Sequence, residues 1–322
     1  MPEWLLERGI GEDRAALVED GAIVEALIDR PGGLRPGLVA QARVARILAP
    51  RRRALVELDG TEAMLEPLGA TPEGARLTVE VTREALGPKR AQVRPAAPGA
   101  TPRPAPTLEE RLAATGHPVT ILGSHGPDRL EAAGWSEVLE EARTGRIAFA
   151  GGELLVSLTP AMTLIDVDGT LAPAPLARAG ARAAGLATRR HGLAGSIGID
   201  LPTVADKAER AAAAAALDEA LPPPFERTAV NGWGFVQIVR PRARASLPEL
   251  LGADPAGAAA RALLRRAERD RTVGPRVLAA APGVIAGIAE GWRVELERRV
   301  GATVVLRADP ALPISGGHVA SA

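Results

Sequence analysis

Three features of the sequence predict a mixed α/β chain of several domains. Between 154 and 240, apolar strand-like runs alternate with helical ones, the pattern of a layered α/β domain. Between 39 and 93, about five short apolar runs follow one another within about 60 residues, the size of a small OB-like barrel. Between these regions lies PAAPGATPRPAPT, residues 95–107, which reads as an extended, semi-rigid linker.

Taken in order, residues 3–9 and 14–30 show short apolar alternations. Leu17-Val18 and Ala22–Ile28 read as two strands, with Glu19-Asp20-Gly21 as the hairpin turn. Strands are expected at Val39–Leu48, Arg53–Leu58, Glu62–Leu65, Arg76–Thr82 and Arg90–Val93, and Asp59-Gly60 is a hairpin turn. Thr107 followed by Glu110 makes a capping box for a helix over 108–115. A helix is expected at Trp135–Thr144, then strands at Leu154–Leu158 and Met162–Val167. A helix over 174–190, a buried strand at Ser196–Leu201 and an Ala-rich helix at Val204–Ala220 follow. Ala229–Arg240 contains a strand. Ala256–Asp270, Pro275–Ala281 and Val284–Arg299 read as helical, and Ala302–Arg307 as a closing strand.

At about 100–200 residues per domain, 322 residues suggest two or three compact units. Aromatic residues are scarce at 2%, and Lys89 and Lys207 are the only lysines. The formal net charge of zero counts against generic coating of nucleic acid, which rests on excess positive charge. A nucleic-acid function must therefore rest on a local site. The absence of Cys excludes disulfides, Cys-ligated zinc and thiol catalysis. The N-terminal MPEWLLERGIGEDR lacks the layout of a signal peptide, and no apolar run reaches the ~20 residues of a membrane span. A cytoplasmic protein with no membrane partner is expected.

The sharpest chemical feature is Thr163-Leu164-Ile165-Asp166-Val167-Asp168-Gly169-Thr170, an apolar strand ending in two carboxylates two positions apart. The second is Ser196-Ile197-Gly198-Ile199-Asp200-Leu201, an apolar strand interrupted by one Asp. A lone carboxylate buried in such a strand is costly unless paired or bound to a metal. If the strands are neighbours, Asp166 and Asp200 meet, and a hard cation such as Mg²⁺ relieves their repulsion. The competing reading makes each Asp, or Thr170, the cap of the helix that follows.

Several of these segments together resemble the RNase E/G family of endoribonucleases. Residues 152–170, GELLVSLTPAMTLIDVDGT, look like its segment running through a Gly-Gly pair and T-E-A-L into I-D-V-N-S. Residues 192–200, GLAGSIGID, are similar to its L-G-G-L-I-V-I-D. Residues 232–247, GWGFVQIVRPRARASL, resemble its F-G-L-L-E-M-[ST]-R-x-R-x-x-x-S-L. Gln41–Leu68 is similar to the start of its OB-fold RNA-binding domain, and Val79–Val93 to the V-x-V-x-K-E-x-x-G-x-K-G stretch that ends it. The tail GATVVLRADPALP resembles the end of its small C-terminal domain, so the likeness covers most of the chain in the family's order.

The resemblance implies that Asp166 and Asp200 are the metal-binding aspartates and that Asp168 stands where the family usually has Asn. It implies Mg²⁺ as cofactor, with Mn²⁺ as a substitute, and single-stranded RNA as substrate. Arg240 and Arg242 match the R-x-R pair suited to holding phosphate bidentately. Lys89 matches a basic residue at the RNA-facing edge of the OB module, and Arg51 and Arg53 add positive charge there. The implied architecture is an RNase H-like layer from 1–34 and 108–153, with the OB module inserted at 35–94. A DNase I-like catalytic domain at 154–247 and a small C-terminal domain at 248–322, a candidate homodimer contact, complete it.

Four departures qualify the resemblance. The family's C-P-x-C-x-G zinc link is absent after Leu247, so no zinc is expected. The segment that holds the family's 5′-monophosphate pocket is reduced to the Pro-rich linker, so reduced 5′-end sensing is expected. The positions of its base-stacking aromatics correspond to Val56 and Leu65, and Thr203 replaces a second acidic residue near Asp200. Two further readings compete. One is an RNA-binding protein of the same family with weak turnover. The other is a haloacid-dehalogenase-like phosphatase, whose D-x-D-G-T-L nucleophile motif Asp166–Leu171 also matches, with Asp166 as nucleophile and Asp168 as acid/base. The later acidic pair of that fold is missing. His117, His125, His191 and His318 show no metal-ligand spacing, and Trp233 and Phe235 read as core or strand-edge packing.

Overall fold

A computed structural model describes residues 1–321 and divides the chain into two compact units. The first comprises Met1–Arg30, His117–Ile238 and the chain from Ser246 onward; the second comprises Pro31–Gly116 and Val239–Ala245.

The chain opens with β1 (Glu3–Arg8), β2 (Asp13–Glu19) and β3 (Ala22–Asp29), an antiparallel run. The β2–β3 turn places Asp20 and Gly21 at φ 50° and 80°, the double positive φ of a type I′ hairpin, which Asp-Gly tolerates best. The second unit follows: β4 (Val39–Ala49), β5 (Arg53–Leu58), β6 (Thr61–Leu65), β7 (Arg76–Arg83) and β8 (Ala91–Pro95). They close into a barrel in the order β4-β5-β6-β8-β7, with β7 pairing back onto β4. Strand alternation sends Val44, Val56, Leu65, Val79 and Val93 into its interior. Val56 and Leu65 are thus core residues and offer no surface for stacking a base, contrary to the sequence reading. The Pro-rich segment is also more than a linker, because Arg103 and Val39 exchange backbone hydrogen bonds of 2.9 and 3.0 Å. The capping box forms as expected. Glu110 N donates to Thr107 Oγ1 and Thr107 N donates to Glu110 Oε2, opening α1 (Leu108–Ala113).

Back in the first unit, β9 (Val119–Leu122) pairs parallel with β1, giving a sheet in the order β3-β2-β1-β9. After α2 (Arg129–Ala132) and α3 (Trp135–Thr144) comes the largest sheet. Its strands are β10 (Arg146–Phe149), β11 (Gly152–Leu158), β12 (Thr163–Gly169), β13 (Gly195–Asp200), β14 (Glu226–Arg227) and β15 (Phe235–Arg240), in the order β10-β11-β12-β13-β15-β14. The crossover helices α4 (Pro173–Arg190) and α5 (Lys207–Ala220) pack on one face. Ile165, Val167, Ile197 and Ile199 point into that layer against Ala177, Ala181, Ala184 and Leu217. The small side chains of α4 and α5 let both helices lie close to the strands.

The chain closes with α6 (Leu247–Ala253), α7 (Pro255–Arg269), β16 (Arg276–Ala280), α8 (Pro282–Ala286), α9 (Glu290–Val300), β17 (Val304–Ala308) and β18 (His318–Ser321). Here the structure corrects three expectations. The stretch read as a helix at 275–281 is β16, the middle strand of a three-stranded sheet in the order β17-β16-β18. A short apolar run has no period to separate helix from strand, and tertiary pairing on both edges decides it. The stretch 284–299 is two helices, broken at Gly287-Ile288-Ala289. The strand at 304–308 does not close the fold, because β18 follows it. Among the described residues, no helix is long and apolar enough to cross a membrane.

A buried ion network joins β1 to α7. The Glu7 carboxylate accepts from Arg265 Nε at 2.7 Å and Arg269 Nη2 at 2.6 Å, and pairs with Arg14 Nη1 at 3.2 Å. Asp128, the N-cap of α2, accepts from Arg265 Nη2 at 2.7 Å. Burial alone raises the Glu7 pKa, but the three guanidiniums outweigh it and hold the carboxyl below its ordinary value. A depressed folded-state pKa gives stability that is present above the unfolded value and lost as pH falls through the folded one. Glu7→Gln removes the carboxylate shared by three buried guanidiniums, leaving them Asp128 and Glu12 as their remaining counter-charges, and is expected to cost about 3–5 kcal/mol. Urea unfolding at pH 7 checks this. The wild-type advantage should shrink as the pH is lowered below about 4.5, the ordinary carboxyl range.

Candidate functional site

Two neighbouring parallel strands set the site. β12 and β13 pair so that Ile165 lies beside Ile199 and Asp166 beside Asp200. The period-2 alternation that buries Ile165, Val167 and Ile199 turns Asp166, Asp168 and Asp200 outward, where all three are exposed. Facing positions on adjacent strands lie about 4.8 Å apart, so two carboxylates oppose each other at close range. Burial was the reason to expect a bound metal from sequence, and the structure corrects it, because the aspartates are exposed. Proximity takes its place: like charges on facing positions repel, and a hard cation between them relieves the repulsion.

Neither Asp caps a helix. The N-cap of α4 is Ala172, with no side-chain bond, so Thr170 is not a cap either. Asp206 caps α5, accepting from Ala208 N at 2.7 Å and Glu209 N at 3.0 Å. Among the described residues, no side chain hydrogen-bonds or ion-pairs with Asp166, Asp168 or Asp200. Glu153 stands opposite Asp168 on β11, but Arg146 Nε holds its carboxylate at 3.1 Å. The face therefore carries three carboxylates without a protein counter-charge. Among the described residues, no group of three or more His, Cys, Asp or Glu side chains is placed to hold a metal ion. The facing pair Asp166 and Asp200 could supply at most two oxygen-donor side chains to a hard cation, which would have to keep water in its remaining positions.

Beside Asp200, the loop Asn231–Gly234 presents Trp233, which is 81% exposed rather than packed as expected. Asn231 Oδ1 accepts from Trp233 N at 2.9 Å and Phe235 N at 3.0 Å, and Thr203 Oγ1 donates to Trp233 O at 3.1 Å. Gly234 has φ +94°, and a Cβ there would lie 2.1 Å from the Leu201 carbonyl oxygen. Phe235 lies across Gly198, the residue two before Asp200; a Cβ on Gly198 would meet its ring at 2.6 Å. The exposure of Trp233 beside Asp200 is what the sequence reading missed. Its signal was a tryptophan between two glycines, a setting that offers little to pack against.

The arginines expected to hold phosphate, Arg240 and Arg242, fall with the second unit except for the strand that leads into them. There the segment 239–245 runs along the end of β7. Glu84 N donates to Ala243 O at 3.0 Å, and Ala245 N donates to Glu84 Oε1 at 2.8 Å. Burial, and then the charge of Arg242, hold the Arg83 pKa below its ordinary value. Burial first, and then Arg111 and Arg35, push Arg244 down to about 10 against the opposing pull of Glu84. Guanidiniums are thus crowded on this side of the unit. Arg244, Arg83 and Arg111 were not singled out from sequence, although the alternation Arg240, Arg242, Arg244 was the available sign. Lys89 is exposed in the turn between β7 and β8, and Arg51 is exposed at φ 59° in the β4–β5 turn. Arg53 is held by Glu66 at 2.8 Å, so it is partly neutralised as an RNA contact. His191 is buried as the C-cap of α4, not placed in a loop, and its Nε2 lies 3.1 Å from Glu141 Oε2.

Comparison of this chain with protein-family models finds no match, and neither does comparison with curated proteins.

The loop geometry gives a direct test. Gly234→Ala forces a side chain into a positive-φ position against a carbonyl oxygen, a strain of about 1–3 kcal/mol. Chemical denaturation should show a loss in that range, while alanine at the open Gly232 should change stability much less.

Proposed function

We propose that the protein is a metal-dependent endoribonuclease that hydrolyses phosphodiester bonds of single-stranded RNA. The observation that carries this reading is the register of β12 and β13, which sets Asp166 directly beside Asp200 with both side chains exposed. The resemblance of the flanking segments to the RNase E/G family supports it. On this reading the closed five-stranded barrel is an OB-type RNA-binding module, the β1–β3 and β9 sheet belongs to an RNase H-like layer, and the β10–β15 sheet is a DNase I-like catalytic layer.

Asp166 and Asp200 would hold Mg²⁺, with Mn²⁺ as a substitute; the bound ion supplies charge at a phosphate oxygen and an activated water at neutral pH. Asp166 and Asp200 provide a fixed pair of oxygen donors on a rigid sheet, so little reorganisation is needed when substrate arrives. Asp168, two residues along on the same face, would offer a further carboxylate to accept hydrogen bonds from water around the ion. Arg240 and Arg242 would hold the substrate phosphates through paired N–H donors. Lys89 and Arg51 would add backbone contacts at the barrel surface. With Val56 and Leu65 in the barrel core, affinity through this module rests on charge rather than stacking, which makes it strongly salt-dependent. No zinc is called for, and a cytoplasmic location and a homodimer belong to the same proposal.

The test is cleavage of a 5′-labelled, A/U-rich single-stranded RNA with added Mg²⁺. Wild type should cut internally, and Asp166→Asn and Asp200→Asn should each lose at least about 100-fold, since one ligand of a two-carboxylate set is removed. RNA bound but uncut by the wild type would instead favour a binding protein. Turnover of a phosphomonoester without RNA cleavage would favour the phosphatase chemistry of Asp166 and Asp168. Thermal melting provides a readout independent of turnover: Mg²⁺ should raise the wild-type midpoint by binding the folded state, and Asp200→Asn should abolish that shift.

A further inference from the structure

A cavity of about 520 Å³ opens in the first unit, lined by the loop after β9, the end of α7, the start of β16 and the end of α9. It shares no residue with the aspartate face. Ser124 and His125 form part of its wall, with Ser124 Oγ and His125 Nδ1 2.9 Å apart. Four arginines also line it: Arg269, Arg271, Arg276 and Arg299. A volume of this order is within the range of small-molecule sites, about 300–1,000 Å³.

The charge balance distinguishes this cavity from an ordinary surface cleft. Arg269 is neutralised by Glu7 at 2.6 Å and Asp128 at 3.4 Å. Arg299 is neutralised by Glu268 at 2.9 Å and Glu295 at 2.7 Å. The third lining carboxylate, Asp270, is folded onto its own loop, where its Oδ1 accepts from Thr272 N at 2.7 Å. The Asp270 carboxyl is held below its ordinary value by Thr272 first and by Arg276 last. Arg271 has no ion-pair partner among the described residues. Arg276 is only 5% exposed, and its Nη2 donates to the Asp270 carbonyl oxygen at 2.9 Å. Its Nε is buried and has no acceptor. A buried guanidinium with an orphan donor and no carboxylate within ion-pair distance is costly, and a bound anion is one of the few things that compensates it.

We propose that this cavity binds the phosphate monoester of a nucleotide-sized ligand, with Arg271 and Arg276 as its charge partners. Two guanidiniums with no salt-bridge partner match a dianion better than a carboxylate, and a phosphate monoester carries about −1.5 to −2 at pH 7. Guanidinium forks bind phosphate oxygens through paired donors, and the Ser124 hydroxyl adds a neutral one. The cavity exceeds what inorganic phosphate fills, which points to a ligand with a body behind its phosphate. This inference stands apart from the RNA-cleavage reading, since neither Asp166 nor Asp200 takes part.

The experiment is calorimetric titration of the full-length protein in EDTA, so that no metal-dependent chemistry intervenes. The probes are AMP, adenosine and inorganic phosphate. AMP should bind one per chain, and adenosine at least about tenfold more weakly, because charge-assisted hydrogen bonds to the phosphate are lost. Inorganic phosphate should compete with AMP but bind more weakly. Arg271→Ala, in an exposed loop, should weaken AMP at least about tenfold while leaving the melting temperature of the free protein unchanged. Arg276→Lys keeps the buried charge but removes Nε, and should also weaken AMP. Inorganic phosphate binding as tightly as AMP would keep the anion site and remove the nucleotide. Equal binding of AMP and adenosine, no binding of either at millimolar concentration, or wild-type affinity in both variants would overturn the proposal.

Discussion

The buried carboxylate of Glu7 is the contact on which the arrangement of the first unit turns. It sits on β1, in the first ten residues, and is held by Arg265 and Arg269, which lie on α7 in the last quarter of the chain. Arg14 on β2 and Asp128 at the head of α2 complete the network. Burying a carboxylate with three guanidiniums costs desolvation that only close, well-oriented pairing offsets. Such a contact adds little to stability compared with an apolar replacement, but a wrong arrangement would leave charges unpaired. It therefore acts as a constraint on which helix docks against which sheet. Nearby, Arg261 lies over the Trp292 ring at 4.8 Å and ties α7 to α9.

The same unit carries both the aspartate face and the arginine-lined cavity, and the two are built by opposite means. On β12 and β13, negative charge is gathered without a protein partner, held in place by strand register and by the apolar layer beneath it. A slip of one residue in that pairing would send Asp166 into the core and Ile165 to the surface, so burial of Ile165, Val167, Ile197 and Ile199 enforces the register. At the cavity, positive charge is left over after Asp128 and Glu268 are taken by Arg269 and Arg299 and Asp270 is folded onto Thr272. In each case the residues that matter are those the protein does not neutralise.

How much of this was legible in the sequence differed by kind. Strands with clear turns were legible: Asp20-Gly21 and Asp59-Gly60 both adopt positive φ at hairpin turns, and the Thr107–Glu110 capping box forms as its spacing requires. The two aspartate strands and the helix that follows each were legible because period-2 and helical patterns alternate there. Arg276–Ala280 was not, since a five-residue apolar run fits a buried strand and a helical turn equally well. Trp233 was misread as packed because hydrophobicity predicts burial, while its place between Gly232 and Gly234 leaves it no neighbours to pack against. Val56 and Leu65 were placed on a binding surface that alternation around the barrel turns inward.

By itself, the sequence determined the local quantities: which residues turn, which cap, which alternate, that no thiol chemistry exists, and that Asp166, Asp168 and Asp200 end apolar strands. These depend on neighbours within a few positions, so spacing is enough to read them. Only the tertiary structure decided that Asp166 lies beside Asp200, that Glu7 meets Arg265, and that Arg271 and Arg276 line a shared cavity without a salt-bridge partner. Pairing between strands and the balance of buried charge depend on residues far apart in the chain. Such contacts are set by which register and docking bury the most apolar surface while leaving the fewest charges unmatched.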